Sequence, residues 1–491
     1  MALNNSGKIS LAGSTAGESI ALELGKPATG MISMNDTDVR ALAGITAGVI
    51  QLDDFYGKSS VSGFIARYYA TNLGTQGTQL GQVFDNGDFT IFYFSGSTTG
   101  GISPIASTNI AMVNGQTGQI IWAKNYDNET ADGTDSRNWR CQATRACKSD
   151  PDPDYFYVGT TYLRRHGGFW NDKPVVLKIK KSDGSVVPTP FWTGNYAINF
   201  SSDCFALDYD TATSKFYTSF GDSGDNERFG VLNSSCQFLR QITMPATSRD
   251  ANVAIIKNGF VYLQGNIGAT NTSSNRQGFL LKVNTSTETI AAQYTTPVGL
   301  TPAASISSNV SVDSNNNVYI SGTNITSGYT GSAVAKLNSS FSQVWCKRPS
   351  DGASIGIGSM DSSDNAYCIS GSNVLKIDPN GNILWSRGFT VNGVAALLYD
   401  VKISGDFMYV NIASNNPPFI AKLPIDGSKT GTYTVDGATF AYSVTSVSFV
   451  DQTLHSGAGT SIASSTANNF GGTVTPAVTT VNTYLGGITN V

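Results

Sequence analysis

The chain has 491 residues, of which only 13% are charged, and its formal net charge is −4. This slightly acidic balance excludes the strongly basic surface that is typical of nucleic-acid-binding proteins and offers no attraction to an anionic membrane. No apolar run approaches the roughly 18 residues of a transmembrane helix, and the first residues lack the apolar core of a signal peptide, so we expect a cytoplasmically made protein without membrane insertion.

Residues 1–58 contain three short units, each with an apolar–polar–apolar triplet, a capping residue and a short helical turn. In the second unit, Ile32 and Met34 predict one side of a half-buried strand, and Asn35 or Asp36 is placed to cap the turn that follows. Such small fragments enclose little core by themselves, so we expect them to pack on the rest of the chain or on another subunit. The candidate docking residues are Ile32, Met34, Val39, Leu42, Ile50, Leu52, Phe55 and Tyr56.

The second and third units together resemble a known module. The string ISMNDTDVRALAG at 32–44, followed by DFYGKS at 54–59, is similar to the N-terminal module of structural proteins of tailed bacteriophage particles, where it precedes different downstream domains. The resemblance implies that residues 1–60 attach the chain to a virion. From the residues alone, a small N-terminal cap of the main domain remains an alternative.

A strand-like run with a central tyrosine recurs seven times between about residue 80 and residue 433. The seven tyrosines are Tyr93, Tyr157, Tyr217, Tyr262, Tyr319, Tyr367 and Tyr409. A second strand follows each of them, and in five repeats it carries a lysine between two apolar residues: Lys178, Lys282, Lys336, Lys376 and Lys422. A further strand often ends in an aromatic residue such as Trp122 or Trp345, which we expect to wedge between neighbouring repeats. The period and the strand content predict the blades of a β-propeller.

We therefore predict an all-β fold with three parts: an N-terminal module of strand and short helix (1–60), a seven-bladed β-propeller (61–451) and a C-terminal arm rich in Ser, Thr and Gly (452–491). The run 434–449 is expected to close the last blade. The arm reads either as extended, with strand-like stretches, or as disordered. Residues 112–122 keep the Thr, Gly and Trp of the docking motif of quinoprotein-like seven-bladed propellers, a resemblance that supports the fold and implies no cofactor.

No combination of residues predicts a catalytic, cofactor-binding or metal site. The six cysteines show no metal-ligand spacing and are expected to be free thiols. Candidate surface-binding residues are Arg164, Arg165, Phe169 and Trp170, which fall on an expected loop insertion at 163–173. Arginine and aromatic residues are enriched in binding hot spots and stack on partner surfaces; the alternative is that these aromatic residues belong to the blades.

These features predict a non-enzymatic structural protein of a tailed-phage particle, assembled in the host cytoplasm and located in the virion. The leading interpretation is a tail fibre or tail-associated appendage whose propeller binds a host-surface glycan or protein. A neck, nozzle or capsid-surface protein is the alternative, and a propeller enzyme acting on glycans or a quinone-linked substrate is a lesser one. Expected partners are other phage structural proteins and further copies of the chain, without nucleic acid.

Overall fold

The computed structural model describes residues 3, 7–15, 18–24, 26–29, 31–43, 48–55, 63–70, 75–96, 108–127, 137–147, 149–166, 169–190, 204–221, 227–243, 248–267, 277–297, 305–413, 418–455, 473–474, 477–480 and 483–491. Helices are short and confined, within these residues, to the N-terminal part: α1 (Ile20–Glu23), α2 (Thr37–Ala43) and a 3₁₀-helix (Leu52–Phe55). The predominance of strands confirms the predicted all-β class.

The first half of the chain contributes the strands β1 (Phe64–Ala70), β2 (Thr75–Val83), β3 (Phe89–Gly96), β4 (Thr108–Val113), β5 (Ile120–Asp127), β6 (Arg137–Ala146), β7 (Tyr155–His166), β8 (Phe169–Lys180), β9 (Val186–Val187), β10 (Thr189–Pro190), β11 (Cys204–Asp210), β12 (Lys215–Gly221), β13 (Glu227–Asn233), β14 (Phe238–Thr243), β15 (Ser248–Lys257), β16 (Phe260–Ile267), β17 (Gln277–Asn284) and β18 (Ile290–Thr295).

The second half contributes the strands β19 (Ser305–Val312), β20 (Val318–Thr323), β21 (Ser332–Leu337), β22 (Gln343–Pro349), β23 (Ile355–Met360), β24 (Ala366–Ser370), β25 (Asn373–Ile377), β26 (Ile383–Val391), β27 (Val394–Ala395), β28 (Leu397–Ser404), β29 (Phe407–Ala413), β30 (Phe419–Pro424), β31 (Gly431–Val435), β32 (Ala438–Val444), β33 (Phe449–Asp451), β34 (Thr473–Val474), β35 (Ala477–Thr480) and β36 (Thr483–Asn490).

These strands form antiparallel sheets of four or more strands that follow one another along the chain. We number them sheet 1 (β2-β3-β4-β5-β35), sheet 2 (β6-β7-β8-β9), sheet 3 (β11-β12-β13-β14), sheet 4 (β15-β16-β17-β18), sheet 5 (β19-β20-β21-β22-β33), sheet 6 (β23-β24-β25-β26-β32-β31, with β27 on β26) and sheet 7 (β28-β29-β30-β1-β36). The first strand of each sheet contacts the first strand of the next, and β28 of sheet 7 contacts β2 of sheet 1. This circular packing of sheets is a β-propeller fold.

The tyrosine and the lysine that mark the repeat in the sequence are directly paired on adjacent strands. In five sheets the tyrosine on the second strand lies directly opposite the lysine on the third: Tyr157 and Lys178, Tyr262 and Lys282, Tyr319 and Lys336, Tyr367 and Lys376, Tyr409 and Lys422. The first repeat differs, because Met112 of the third strand pairs with Thr90, and Tyr93 pairs with Asn109. The interpretation of Tyr93 as the equivalent tyrosine is therefore wrong by three residues, since Thr90 occupies that position.

The predicted aromatic wedges are confirmed at two tryptophans. Trp122 of sheet 1 donates its indole N–H to Lys181 O of sheet 2 at 2.7 Å, and Trp345 of sheet 5 donates to Pro379 O of sheet 6 at 3.1 Å. Both rings lie against a glycine of the receiving turn, Gly184 and Gly381 respectively, where an added Cβ would meet ring atoms at 2.8 and 3.1 Å. These turn glycines, with φ of 71° and 84°, combine left-handed backbone with room for the neighbouring indole.

The C-terminal part of the chain returns to sheets that were formed earlier. Strands β31 and β32 extend sheet 6 and β33 extends sheet 5, so the expectation that residues 434–449 close the last blade is wrong. Strand β36 instead pairs with β1, which itself pairs with β30, and together they complete sheet 7. In the same segment β35 extends sheet 1 by pairing with β5, and β34 pairs with β10 in a separate two-stranded sheet. These pairings satisfy backbone groups at strand edges that would otherwise be left open.

Candidate functional site

The N-terminal units enclose a small hydrophobic core of their own. Its buried members are Leu3, Ile9, Ile20, Val39, Leu42, Ala43 and Phe55, and Leu11, Leu24, Ile32, Met34 and Ile50 pack against them. The first unit contributes Ile9 and Ile20 to this cluster, the second contributes Val39 and the third contributes Phe55. All residues of this cluster lie between positions 3 and 55.

Equivalent hydrogen bonds hold the second and third units in the same local shape. Asp36 Oδ2 accepts from Ser33 N at 3.0 Å, and Asp54 Oδ2 accepts from Gln51 N at 2.7 Å. Each carboxylate thus bonds backward to the residue three positions earlier, whereas the sequence predicted that Asn35 or Asp36 caps the turn that follows. Arg40 connects the two units, because its guanidinium donates to Asn35 Oδ1 at 2.9 Å and to Gly48 O at 3.0 Å.

Burial divides the predicted docking residues. Val39, Leu42 and Phe55 lie inside the module core, with at most 6% of their surface exposed, while Ile32, Met34 and Ile50 are half-buried. Leu52 is 44% exposed, and Tyr56 lies outside the described residues. Val39, Leu42 and Phe55 cannot contact a partner unless the module unfolds. Their role is to support the fold of the module.

Two exposed apolar residues of the module were missed by sequence reasoning. Met31 is fully exposed and Val49 is 82% exposed. Each immediately precedes the inward-facing isoleucine of its unit, Ile32 or Ile50, so the repeat places both at equivalent positions. The signal was available in the alternation itself, since the residue before an inward-facing one points outward. Together with Leu52, they form what we call the module surface.

The second group of predicted residues lies on paired strands and not on a loop. Strands β7 and β8 remain in register up to the pair His166 and Phe169, so Arg164 and Arg165 lie on β7 while Phe169 and Trp170 lie on β8. Arg165 lies directly opposite Trp170, and Arg164 lies opposite Asn171. The loop interpretation of 163–173 was wrong because the insertion extends both strands of a hairpin. Positions 167 and 168 lie outside the described residues.

Buried lysines link neighbouring sheets through the turns. Lys336 Nζ lies 3.0 Å from Asp313 Oδ2 and 5.0 Å from the Tyr319 ring centroid, and it donates to Pro379 O of sheet 6 at 3.2 Å. Lys422 links its sheet to the next one through a backbone carbonyl: its Nζ donates to Gly115 O of sheet 1 at 2.6 Å. Burial lowers the pKa of Lys422 to about 8, although the more distant Asp88 opposes this shift.

A buried thiol contacts a buried carboxylate between sheets 2 and 3. Cys147 Sγ lies 3.7 Å from Asp208 Oδ1, and Asp208 also accepts from Ser149 N at 2.8 Å and from Ile256 N at 2.7 Å. Burial raises the pKa of both the thiol and the carboxyl group. A protonated, enclosed thiol is a poor nucleophile, so Cys147 and Asp208 do not form a reactive pair. Through its bonds to Ser149 and Ile256, Asp208 instead connects sheets 2, 3 and 4.

The cysteines that the structure describes are enclosed in the sheets. Cys147, Cys236, Cys346 and Cys368 are buried free thiols, which confirms the expectation for these four. Within the described ranges, no group of three or more His, Cys, Asp or Glu side chains is placed to hold a metal ion. No helix in the same part of the chain has the length and apolarity of a membrane span.

Comparisons with known proteins return only structural similarity. No family model and no curated protein sequence matches the chain. Among solved structures, it is similar to a protein of unknown function from Bacteroides caccae (12% identity, 48% of this chain and 78% of that one, TM-score 0.32). It is also similar to the Neurospora crassa Pan2 WD40 domain (11%, 74% and 96%, TM-score 0.42) and to the quinohemoprotein alcohol dehydrogenase ADHIIG of Pseudomonas putida HK5 (9%, 77% and 75%, TM-score 0.38).

These similarities concern the fold alone. With identities of 9 to 12% and TM-scores of 0.32 to 0.42, no activity, ligand or partner transfers from any of these structures to this chain. The two surface regions, the module surface and the β7–β8 hairpin, therefore have to be judged by their own residues.

Proposed function

We propose that this chain is a non-enzymatic structural component of a tailed-phage particle, most specifically a tail fibre or tail-associated appendage. In this proposal the N-terminal module docks on the virion, and the propeller projects from it toward the host surface or toward neighbouring particle proteins. The support comes from the resemblance of residues 32–59 to phage structural modules and from the organisation of the module.

The observation that carries the proposal is that the module has a separate core and an exposed apolar surface. All members of its buried cluster lie between positions 3 and 55. Met31 is fully exposed and Val49 is 82% exposed. A unit of this size gains stability by burying such side chains against a partner. A cap of the propeller would instead direct them into the main domain.

We further propose that sheets 1 to 7 are seven blades of one closed ring and that the C-terminal segment serves as their outer strands rather than as a free arm. Such a ring is a rigid disc without open inner edges, which suits presentation of a binding surface on a particle. Several copies on one particle would raise the avidity of weak contacts.

A pair of charge variants tests the docking role. The double variant Met31→Asp/Val49→Asp places two carboxylates on the module surface, and the control Val394→Asp/Tyr399→Asp does the same at residues of the propeller that are 69% and 58% exposed. We expect the first to reduce the amount of chain in purified particles at least about tenfold, the equivalent of ~1.4 kcal/mol, and the control to leave it unchanged. Equal incorporation of both variants, measured by quantitative mass spectrometry, would refute docking through this surface.

A further inference from the structure

The outer strands of sheet 5 place an arginine, a valine and two serines on one face. In the antiparallel pair of β22 and β33, Arg348 lies directly opposite Val450. Two residues further along, Ser350 N donates to Ser448 O at 2.9 Å, and the hydroxyls of these serines are hydrogen-bonded at 2.6 Å. Residues two apart on a strand share a face, as do directly opposed residues of a pair. The four side chains therefore lie side by side.

Tyr329, in the loop between β20 and β21, packs on this arginine. The guanidinium carbon of Arg348 lies 4.4 Å from the Tyr329 ring centroid. The loop is closed by a hydrogen bond from Thr326 Oγ1 to Tyr329 O at 3.1 Å. Gly331 leaves room for the ring, because an added Cβ there would lie 2.2 Å from the Tyr329 hydroxyl oxygen. The loop thus holds the ring against the guanidinium without help from a ligand.

We call Tyr329, Arg348, Ser350, Ser448 and Val450 the arginine site. Its guanidinium lacks a carboxylate partner. Among the described residues, Arg348 donates one hydrogen bond, from Nη1 to the neighbouring Pro349 O at 3.3 Å, and its Nε is buried without a partner. A charge that has lost part of its hydration is normally paired, so the arrangement is that of an ion pair whose anion is missing.

The acid nearest in sequence and two other arginines show that this state is particular to Arg348. Asp351 uses its carboxylate to accept from Ala353 N at 3.0 Å. Arg67 lies 3.3 Å from Asp436 Oδ2. Arg387 donates from Nε to the backbone at 2.6 Å and from Nη1 at 2.9 Å. The protein therefore satisfies its other cations internally and leaves this one available to a ligand.

We infer that the arginine site binds an acidic sugar, a unit of a glycan that carries a carboxylate. The inference rests on the proposed role of the propeller in host attachment and assigns it a ligand class. The guanidinium of Arg348 meets the carboxylate through charge-assisted hydrogen bonds. The exposed hydroxyls of Ser350 and Ser448 meet the hydroxyls of the sugar ring, and Val450, which is 37% exposed, offers an apolar contact. An acidic peptide is disfavoured, because its carboxylates are not accompanied by ring hydroxyls.

The residue before Arg348 provides a matched control. Successive residues of a strand point to opposite faces, and the cation of Lys347 is paired with Asp451. The variants Arg348→Met and Lys347→Met each remove one positive charge from the same strand, but only the first removes it from the arginine site. Both full-length variants and the wild type are titrated with polygalacturonate, with its fully methyl-esterified form, and with poly-L-glutamate of matched length.

We expect the wild-type chain to bind polygalacturonate, and to bind both the methyl ester and poly-L-glutamate at least about tenfold more weakly. Arg348→Met is expected to lose about tenfold in affinity for polygalacturonate, whereas Lys347→Met retains it. Equal affinities of wild type and Arg348→Met, equal losses in the two variants, equal binding of the ester, or tighter binding of poly-L-glutamate would each overturn the inference.

Thermal unfolding without polymer separates ligand binding from a structural role. Arg348→Met should keep or raise the midpoint of the wild type, because it removes a half-buried charge that has no carboxylate partner. A lower midpoint together with unchanged affinity for polygalacturonate would make Arg348 a support of the Tyr329 loop and would overturn the inference.

The result is separable from the proposed function. If the chain is found in particles and the full-length protein competes with phage adsorption, but Arg348→Met competes as well as wild type, the sugar site fails while the appendage role stands. If the chain is absent from particles but binds polygalacturonate through Arg348, the proposed function fails and the sugar site stands.

Discussion

Lys422 makes the stability of the propeller depend on pH in a direction that can be calculated. Its side chain is 2% exposed at the junction of sheets 7 and 1, where Nζ donates to Gly115 O and lies 4.1 Å from the Phe407 ring centroid. Burial lowers its pKa from 10.5 to about 8. The folded protein therefore binds this proton less tightly than the unfolded chain does, so the free energy of unfolding rises as the pH increases from about 8 toward 10.5.

The magnitude follows from the difference between the two pKa values. A shift of this size, at ~1.4 kcal/mol per pH unit, makes the wild-type chain gain about 2–3 kcal/mol between pH 7 and pH 10 from this one residue. The variant Lys422→Met removes the titrating group. We therefore expect the difference in unfolding free energy between wild type and variant to change by about 2–3 kcal/mol over this range, in favour of the wild type at high pH.

Urea denaturation of both proteins at pH 7, 8, 9 and 10 measures this difference, since subtracting the two profiles removes the contribution of all other groups. Lys376→Met is a suitable control, because Lys376 occupies the equivalent position in sheet 6 but lies 2.9 Å from Asp361 Oδ2. If the wild-type and Lys422→Met profiles run parallel from pH 7 to pH 10, the assignment of a buried, easily deprotonated lysine at this junction is refuted.

Three further predictions concern how the sheets are held together. Trp345→Ala should reduce the free energy of unfolding by about 3–5 kcal/mol, because it removes the indole that packs on Gly381. Differential scanning calorimetry measures the loss against the exposed control Val344→Ala, and equal destabilisation by the two variants would contradict the wedge. Deletion of residues 483–491 should increase hydrogen exchange at β1, because β36 covers the edge of that strand, and exchange in β12 should stay constant. Unchanged exchange at β1 would argue against this pairing. Lys376→Met should destabilise the fold at pH 7, because Asp361 loses its cation; an unchanged denaturation midpoint would contradict this.

The propeller could be predicted from sequence because each repeat carries its own period-2 signal. Tyr319 and Lys336 illustrate this: both lie between apolar neighbours, and both prove to be central residues of adjacent strands. The first repeat misled the alignment because Tyr93 lies three residues beyond the equivalent position, where a threonine stands. Residue type alone does not reveal this position, because a threonine stands where the other repeats have a tyrosine. Thr90 is nevertheless as buried as those tyrosines.

The parts that sequence reasoning missed depend on contacts between distant residues. Pairing of Phe64 with Asn490 joins the first strand, β1, to the last strand, β36, and nothing in a run rich in Ser, Thr and Gly indicates which sheet edge it will cover. The module core likewise depends on Ile9 and Ile20 meeting Phe55. The pairing of Arg165 with Trp170 likewise depends on the register of β7 and β8, which local sequence patterns do not specify.

Cryo-electron microscopy of purified tailed-phage particles that are proposed to carry the chain tests the central proposal most directly. The account predicts density for a β-propeller joined to the particle through residues 1–60, with Met31 and Val49 buried against another virion protein, at the tail for the leading interpretation and at the neck or capsid for the alternative. Particles that lack the chain, or that hold it through the propeller with the module surface still exposed, would contradict the proposal.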